Sequence, residues 1–295
     1  MQNEKLQGKI IKSLAGFYYV EVGNAIFECK ARGNFRHSNE TPLTGDNVEI
    51  LLQKDGTGVV EKIIDRKNSL VRPPLANVDR LYIVVSVADP RPNLLVIDKL
   101  IAIAEDKGIE PVIIINKTDL GNGQQLSEIY TSAGFEVYAV CCAENQGFDA
   151  VKASFCKGIN AFTGNSGVGK SSILNHILPG LDLPTACTSE KLGRCKHTTR
   201  HTELFKLNEA FIADTAGFSS LDIARCEDVN KQDLQYSFRE FSEHIGKCRF
   251  TGCAHVKDAG CAIKARVEDG TINKSRYESY CSLYNDIKDI KEWEK

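Results

Sequence analysis

The chain has 295 residues, of which 42% are hydrophobic, and its formal net charge is −2 at pH 7. This length and apolar content predict two or three domains with a sizeable core, and the near-zero charge gives no sign of a nucleic-acid partner. Because there is no long apolar run, we expect neither a signal peptide nor a membrane span, and the eleven cysteines, an odd number, indicate reduced thiols in the cytoplasm.

Residues 1–68 show the pattern of short β-strands separated by tight turns. Apolar and polar positions alternate, β-branched and aromatic residues are frequent, and Gly-Asn and Asp-Gly pairs lie between the segments. Five such segments predict a small barrel of the OB-fold type, which commonly binds nucleic acid on one face. A local basic cluster around Phe35 is either a solvated face or an RNA-contacting loop. Its members are Lys30, Arg32, Arg36 and His37.

An alternation of apolar strands and amphipathic helices extends over residues 75–222. Continuous apolar runs such as 81–87 and 112–115 are typical of strands covered on both faces. Between these two runs, Asn93 caps a helix whose apolar residues recur at helical spacing until Gly108 ends it. We therefore predict a doubly wound α/β sheet, joined to the barrel by an extended, proline-containing linker at 72–74.

Asn116-Lys117-Thr118-Asp119 follows one of these strands and has the form N-K-x-D. The Asp119 carboxylate can accept both N–H groups of a guanine edge, whereas adenine would leave the carboxylate unpaired. On its own the motif is also compatible with a surface turn, but beside phosphate-binding motifs it indicates GTP rather than ATP. The turn Cys141-Cys142-Ala143 is interpreted as support for the base, with Cys142 and Ala143 contacting the nucleotide.

The stretch 164–171 has the form G-x-x-x-x-G-K-S and lies between a predicted strand and a predicted helix. In that context glycines let backbone N–H groups surround phosphate oxygens at the start of a helix. We expect Lys170 to reach the β- and γ-phosphates and the Ser171 hydroxyl to bind Mg²⁺. The predicted nucleotide contacts are Gly164, Asn165, Ser166, Gly167, Val168, Gly169, Lys170, Ser171 and Ser172.

A third motif, Asp214-Thr215-Ala216-Gly217, has the form D-x-x-G and follows another predicted strand. Asp214 is expected to hold Mg²⁺ through water, and the Gly217 amide to sense the γ-phosphate. In an ordinary GTPase the guanine motif comes after the phosphate loop, but in this chain it comes first. The order therefore predicts a circular permutation, which is tolerable where chain ends lie close together.

Residues 223–295 contain metal-ligand residues with the spacing C-x₄-C-x-H-x₅-C. Three thiolates and one imidazole form a closed tetrahedral set for one structural Zn²⁺, so catalysis at the metal is not expected. The predicted ligands are Cys248, Cys253, His255 and Cys261. Basic residues around them are compatible with an RNA-facing patch or a solvated surface, and helices are predicted at 230–245 and 273–293. The other cysteines, Cys141 among them, are interpreted as small buried hydrophobic residues.

The permuted order, the stretches G-N-S-G-V-G-K-S-S and D-T-A-G-F and the zinc-type cluster together resemble the ribosome small-subunit-dependent GTPase A family (RsgA, also called YjeQ or YloQ). The resemblance implies an OB-fold RNA-binding domain at 1–68, a circularly permuted GTPase domain at 75–222 and a mostly helical zinc-binding domain at 223–295. It implies a cytoplasmic enzyme that binds the small ribosomal subunit and its rRNA late in maturation. The subunit would stimulate hydrolysis of GTP to GDP and phosphate, hydrolysis would release the protein, and a monomer is expected off the ribosome.

A long polar connection at 184–202 precedes the D-x-x-G strand, and such loops in compact domains are usually functional. Residues 193–200 resemble the first switch of the family, in which a threonine hydroxyl completes the Mg²⁺ shell. Thr199 is favoured over Thr198 for this role, although spacing does not distinguish them.

Phe218 follows the D-x-x-G motif where many GTPases have a glutamine that orients the attacking water. A phenyl ring cannot exchange a proton, so slow hydrolysis by the free protein is expected. His197 is the candidate catalytic residue, since its imidazole can hydrogen-bond water and the resemblance supports that role. The alternative is an exposed loop histidine without a function.

Three functions other than that of a ribosome-dependent GTPase are compatible with parts of the sequence. The chain can be an RNA-binding module that GTP merely locks, or a GTPase that acts on a non-ribosomal RNA or protein. A zinc-dependent nuclease is disfavoured, because four protein ligands fill the predicted metal shell.

Overall fold

A computed structural model describes residues 4–36, 40–71, 73–178, 180–181, 183, 202–214 and 229–288. The chain divides into two compact units, one of residues 1–80, 155–162 and 187–216, the other of residues 81–154, 163–186 and 217–295. The domain boundaries at 68, 75 and 222 remain predictions. In the described parts of the chain, no helix combines the length and apolarity that crossing a membrane requires.

Five strands of the first unit close into a barrel. β1 (Lys5–Leu14) pairs antiparallel with β2 (Phe17–Val22) and with β4 (Asn47–Leu52). β3 (Ala25–Ala31) is antiparallel to β2, and β5 (Gly58–Ile64) closes the ring, antiparallel to β4 and parallel to β3. The predicted OB-like five-stranded barrel is confirmed.

The interior of the barrel is apolar because alternate side chains of each strand point inward. The register shifts between Ile10 and Lys12 of β1, and again in β5, where one extra residue lies opposite Glu49 and Ile50 of β4. Such bulges increase the local twist and allow a strand to turn a barrel corner. The buried cluster comprises Ile10, Val20, Cys29, Val48, Ile50, Val60 and Ile63.

The first unit also contains most of the strand that precedes the phosphate loop in the chain, and the strand that ends at the D-x-x-G aspartate. β11 (Ile159–Thr163) belongs to this unit except for its last residue, which is assigned to the other unit. β12 (Glu203–Leu207) and β13 (Ala210–Asp214) form an antiparallel pair. β13 runs parallel to β11. Before them in the chain, β6 (Ser69–Leu70) and β7 (Leu75–Ala76) form a small antiparallel pair.

The second unit contains the predicted alternation of strands and helices. β8 (Val78–Ser86), which begins in the first unit, neighbours β9 (Glu110–Asn116), and β9 runs parallel to β10 (Glu136–Ala139). The Asn93 side chain accepts a hydrogen bond from the Val96 amide at 3.3 Å, which confirms the predicted cap. The helices are α1 (Leu94–Asp106), α2 (Gln124–Ser132), α3 (Phe148–Ala153) and α4 (Lys170–Ile177).

The C-terminal part of the second unit contains α5 (Ala262–Glu268) and α6 (Lys274–Ile287). The helix predicted at 230–245 is wrong, since two short 3₁₀ helices, Leu234–Ser237 and Arg239–Phe241, occupy that stretch. Phe238 between them is extended (φ −114°, ψ 95°), and its ring packs against Phe241 and Tyr280, with centroids 5.3 Å from each. Burial of these aromatic rings overrides the local helical pattern.

A buried ion network holds α6 against α1. The Arg276 guanidinium is fully buried and donates to Asp98 of α1 at 2.7 Å and to Glu240 at 2.8 Å. Burial alone would lower the pKa of Arg276, but the Glu240 and Asp98 carboxylates raise it above its ordinary value. Removal of one partner from such a network leaves buried charges uncompensated.

Arg276→Ala is therefore expected to lower the free energy of unfolding by about 3–5 kcal/mol. The matched control is Arg266→Ala, because Arg266 forms a surface pair with Asp269 and its side chain is 46% exposed. That substitution is expected to change stability by less than about 0.5 kcal/mol. Urea denaturation followed by circular dichroism measures both, and equal effects would contradict a structural role for the buried network.

Candidate nucleotide site and metal centre

The N-K-x-D motif is tied directly to the phosphate loop. Asn116 ends β9, is 2% exposed, and donates from Nδ2 to the Val168 carbonyl at 2.9 Å. Gly169 has φ +97°, and a Cβ on it would lie 2.2 Å from Asn116 Nδ2. A glycine is therefore required at 169 both by the backbone conformation and by the approach of Asn116.

Backbone contacts shape the rest of the motif. Lys117 has φ +61°, and its ammonium donates to the Asp89 carbonyl in the loop before α1. The Thr118 hydroxyl donates to the Val140 carbonyl at 3.2 Å. These bonds hold Asp119 at the carboxyl end of the β9–β10 pair, where ligands of open α/β sheets commonly bind.

The turn after β10 contacts the motif through two thiols. Cys141, which is 1% exposed, donates from Sγ to Asp119 Oδ1 at 3.2 Å, and the thiol of Cys142 lies 3.6 Å from Asn116 Oδ1. Burial raises the pKa of the Cys142 thiol to about 11. Gln146 closes the turn by exchanging two backbone hydrogen bonds with Cys141, at 3.1 and 3.0 Å. Ala143 lies exposed within it.

The sequence places Cys141 in the turn interpreted as support for the base and predicts a small buried hydrophobic residue, but it does not predict the hydrogen bond to Asp119. Its position directly after a strand and next to a predicted base contact is the signal that could have identified it. In the structure the Cys141 thiol orients the carboxylate that is predicted to recognise guanine.

The phosphate loop adopts a conformation that depends on its glycines. Gly164 has φ +145°, and a Cβ there would lie 2.3 Å from the Val84 carbonyl. Val168 anchors the loop in the core, while Ser166 and Gly167 are exposed. α4 begins at Lys170, so Ser171 and Ser172 lie in its first turn, where free backbone N–H groups favour anions.

The lysine of the loop is bound to the loop itself. Lys170 Nζ donates to the carbonyls of Gly164 at 2.6 Å and Asn165 at 3.1 Å. The buried Oδ1 of Asn165 has no hydrogen-bond partner among the described residues. Phosphate oxygens are stronger acceptors for the Lys170 ammonium than the neutral carbonyls of Gly164 and Asn165, so a phosphate group fits beside this lysine.

The predicted Mg²⁺ ligands lie on different elements. Ser171 is in the first turn of α4, and Asp214 is the last residue of β13, in register with Phe162 of β11, the strand that leads into the phosphate loop. A hydroxyl and a carboxylate are oxygen ligands of the kind Mg²⁺ prefers. The other predicted members of the site, Thr199, Gly217 and the catalytic candidate His197, lie outside the described residues, as do Thr198 and Phe218.

The four predicted zinc ligands converge, with all their ligand atoms within 4.8 Å of one another. Nδ1 of His255 lies 3.5 Å from Cys248 Sγ and 3.4 Å from Cys261 Sγ, and the two sulfurs are 4.0 Å apart. Tetrahedral zinc–sulfur bonds place two thiolates about 3.8 Å apart. The Cys₃His set therefore fits one Zn²⁺.

Hydrogen bonds from α6 hold the backbone around these ligands. His255 has φ +60°, and its carbonyl accepts from the Tyr277 hydroxyl at 2.8 Å. The neighbouring Ala254 carbonyl accepts from the Tyr280 hydroxyl at 2.9 Å. Burial lowers the pKa of His255 and raises the pKa of Cys253 to about 12, so metal binding at neutral pH has to displace the thiol protons.

Comparison with known proteins connects these sites to one family. Residues 63–224 match the family described as RsgA GTPase, and residues 7–60 match the family described as RsgA N-terminal domain. The small ribosomal subunit biogenesis GTPase RsgA of Halalkalibacterium halodurans is 41% identical over 288 residues, which are 96% of this chain and 97% of that protein. RsgA of Caldanaerobacter subterraneus subsp. tengcongensis is 41% identical over 290 residues, 97% of each chain.

Solved structures agree with the fold. The crystal structure of YjeQ from Thermotoga maritima is similar with a TM-score of 0.81 at 31% identity, covering 98% of this chain and 100% of that one. The crystal structure of YloQ, described as a circularly permuted GTPase, has a TM-score of 0.79 at 33% identity, covering 98% and 96%. The predicted fold is confirmed: a circularly permuted GTPase with an N-terminal barrel and C-terminal helices that carry a Cys₃His cluster.

Cys141→Ala is expected to weaken GDP binding about fivefold, since one hydrogen bond of this kind contributes about 1 kcal/mol. Cys141→Ser keeps a donor at the same position and is expected to stay within about twofold of the wild type. Titration with a fluorescent GDP analogue measures both. Equal affinities of the alanine and serine variants would show that the contact with Asp119 does not support the base site.

Proposed function

The chain belongs to the RsgA GTPase family, and we propose that it hydrolyses GTP on the small ribosomal subunit late in the maturation of that subunit. In this proposal the subunit stimulates hydrolysis, and hydrolysis to GDP and phosphate releases the protein. The observation that carries the nucleotide site is the bond from Asn116 Nδ2 to the Val168 carbonyl. It joins the guanine motif to the phosphate loop in a chain whose motif order is permuted.

The proposed base contacts come from two loops. The Asp119 carboxylate accepts the two guanine N–H groups, oriented by the Cys141 thiol. Lys117 lines the base site while its ammonium is held at the Asp89 carbonyl. Cys142 and Ala143 approach the base from the turn after β10, and Asn116 holds the whole motif to the phosphate loop.

The phosphates would be bound by the loop amides and by Lys170. The ammonium exchanges the carbonyls of Gly164 and Asn165 for anionic phosphate oxygens, which makes charge-assisted hydrogen bonds. When bound, Mg²⁺ supplies charge neutralisation at the β- and γ-phosphates. The residues that would hold it are Ser171, Thr199 and Asp214, and the Gly217 amide would respond to the γ-phosphate.

His197 would orient the attacking water, because the phenyl ring of Phe218 cannot hydrogen-bond it. Catalysis would otherwise be positioning and electrostatic stabilisation by Lys170 and the loop amides. Without the subunit, the water would be poorly oriented and turnover slow.

The flanking regions would provide the contacts with the subunit. We propose that the barrel, as an RNA-binding domain at 1–68, and the zinc-binding domain at 223–295 contact rRNA, with the GTPase domain at 75–222 between them. Relatives at 41% identity are named small ribosomal subunit biogenesis GTPase, which supports this partner. The Cys₃His cluster would hold one structural Zn²⁺. The protein would be cytoplasmic, and monomeric off the ribosome.

Multiple-turnover phosphate release from GTP, with and without purified small subunits, tests this function. The expected result is slow release by the free protein and strong stimulation by the subunit. Bound GTP with negligible release under both conditions would instead indicate an RNA-binding module that GTP locks. Stimulation by another RNA or protein, but not by the subunit, would identify a different partner.

In the same assay His197→Ala is expected to reduce subunit-stimulated turnover by about 100-fold, the lower range for loss of a general acid–base group. His244→Ala, a half-buried histidine of the C-terminal part, is the control and should leave turnover unchanged. Full stimulated turnover in His197→Ala would remove His197 from the mechanism.

A further inference from the structure

The zinc-ligand candidate His255 has a second ring nitrogen that faces away from the three thiols. Nδ1 lies toward Cys248 and Cys261, at 3.5 and 3.4 Å from their sulfurs. Nε2, on the opposite side of the ring, lies 3.0 Å from the side-chain oxygen of Gln235. A residue outside the C-x₄-C-x-H-x₅-C stretch therefore contacts the imidazole.

The amide of Gln235 is held in one orientation by a backbone carbonyl. Its Nε2 donates to the Gln232 carbonyl at 3.0 Å. If the amide were flipped, its oxygen would face that carbonyl, and two acceptors would repel each other. The oxygen of Gln235 therefore faces His255 as an acceptor, and the imidazole must donate its Nε2–H. In the neutral ring this leaves the lone pair on Nδ1, the nitrogen that faces the thiols.

The position of Gln235 is determined by buried neighbours. It lies in the 3₁₀ helix Leu234–Ser237, whose first and last residues are 0% and 3% exposed. The next residue, Phe238, is also fully buried. On the other side, the Phe241 ring packs edge-on against the His255 imidazole, with 6.3 Å between centroids. The buried neighbours fix the backbone that carries Gln235, and Phe241 helps to hold the imidazole that Gln235 contacts.

We propose that Gln235 is a positioning residue of the metal centre. It selects the His255 tautomer with hydrogen on Nε2 and aims the Nδ1 lone pair at the metal, together with Cys248, Cys253 and Cys261. The inference rests on the zinc centre of the proposed function. Partners of this kind orient metal-binding histidines, and their loss typically weakens metal affinity 10- to 100-fold.

Gln235→Leu separates the acceptor from the packing, because leucine has a similar volume and no acceptor. Gln232→Leu is the matched control, because the Gln232 side chain is exposed and only its backbone carbonyl is used. Zn²⁺ affinity of the full chain is measured by competition with a chromophoric chelator. The visible absorption spectrum of the Co²⁺-substituted chain reports the ligand geometry.

Gln235→Leu is expected to bind Zn²⁺ about 10- to 100-fold more weakly and to shift the Co²⁺ spectrum. Gln232→Leu is expected to stay within about threefold of the wild type, with the wild-type spectrum. The proposal is overturned if Gln235→Leu matches the wild type in both measurements, or if Gln232→Leu loses as much affinity as Gln235→Leu. A wild-type chain that binds no Zn²⁺ would instead refute the zinc centre itself.

Discussion

The hydrogen bond from Asn116 to the Val168 carbonyl is the contact on which the nucleotide site depends. It joins two loops that are 52 residues apart in the chain and that would come in the opposite order in an ordinary GTPase. Since the permutation changes connectivity but not contacts, a tertiary bond of this kind preserves the relation between base and phosphate sites. Gly169 is part of the same constraint, because any side chain there would collide with the Asn116 amide. A site built in this way tolerates rearranged chain ends as long as the two loops keep their contact.

Helix α1 connects this region to the C-terminal part of the same compact unit. The loop before it supplies the Asp89 carbonyl that holds Lys117, and its own Asp98 pairs with the buried Arg276 of α6. Hydroxyls of α6, in turn, bind the backbone of the zinc-ligand stretch at Ala254 and His255. The base motif and the Cys₃His cluster are thus attached to one continuous set of packed elements. Zn²⁺ held by the Cys₃His cluster would therefore stabilise the helix that lies against α1.

Motifs with fixed spacing were readable from the sequence because their chemistry requires particular residue types close together in the chain. The Cys₃His set, the barrel strands and the Asn93 cap belong to this class. Contacts between distant residues were not readable: the Cys141–Asp119 bond, the Arg276 network and the Gln235–His255 bond depend on packing that no local pattern encodes. The helix wrongly predicted at 230–245 has the same cause, since burial of Phe238 and Phe241 decides the backbone there. The roles of His197, Thr199 and Gly217 remain predictions from motif and resemblance.

The most direct test of the account is calorimetric titration of Asp119→Asn with GDP and with xanthosine diphosphate. An asparagine amide donates a hydrogen bond where guanine also donates, whereas xanthine presents a carbonyl at that position. GDP affinity is expected to fall by at least about 100-fold, and xanthosine diphosphate is expected to become the tighter ligand. Wild-type affinity for GDP in the Asp119→Asn chain would contradict recognition of guanine by this carboxylate, and with it the proposed nucleotide site.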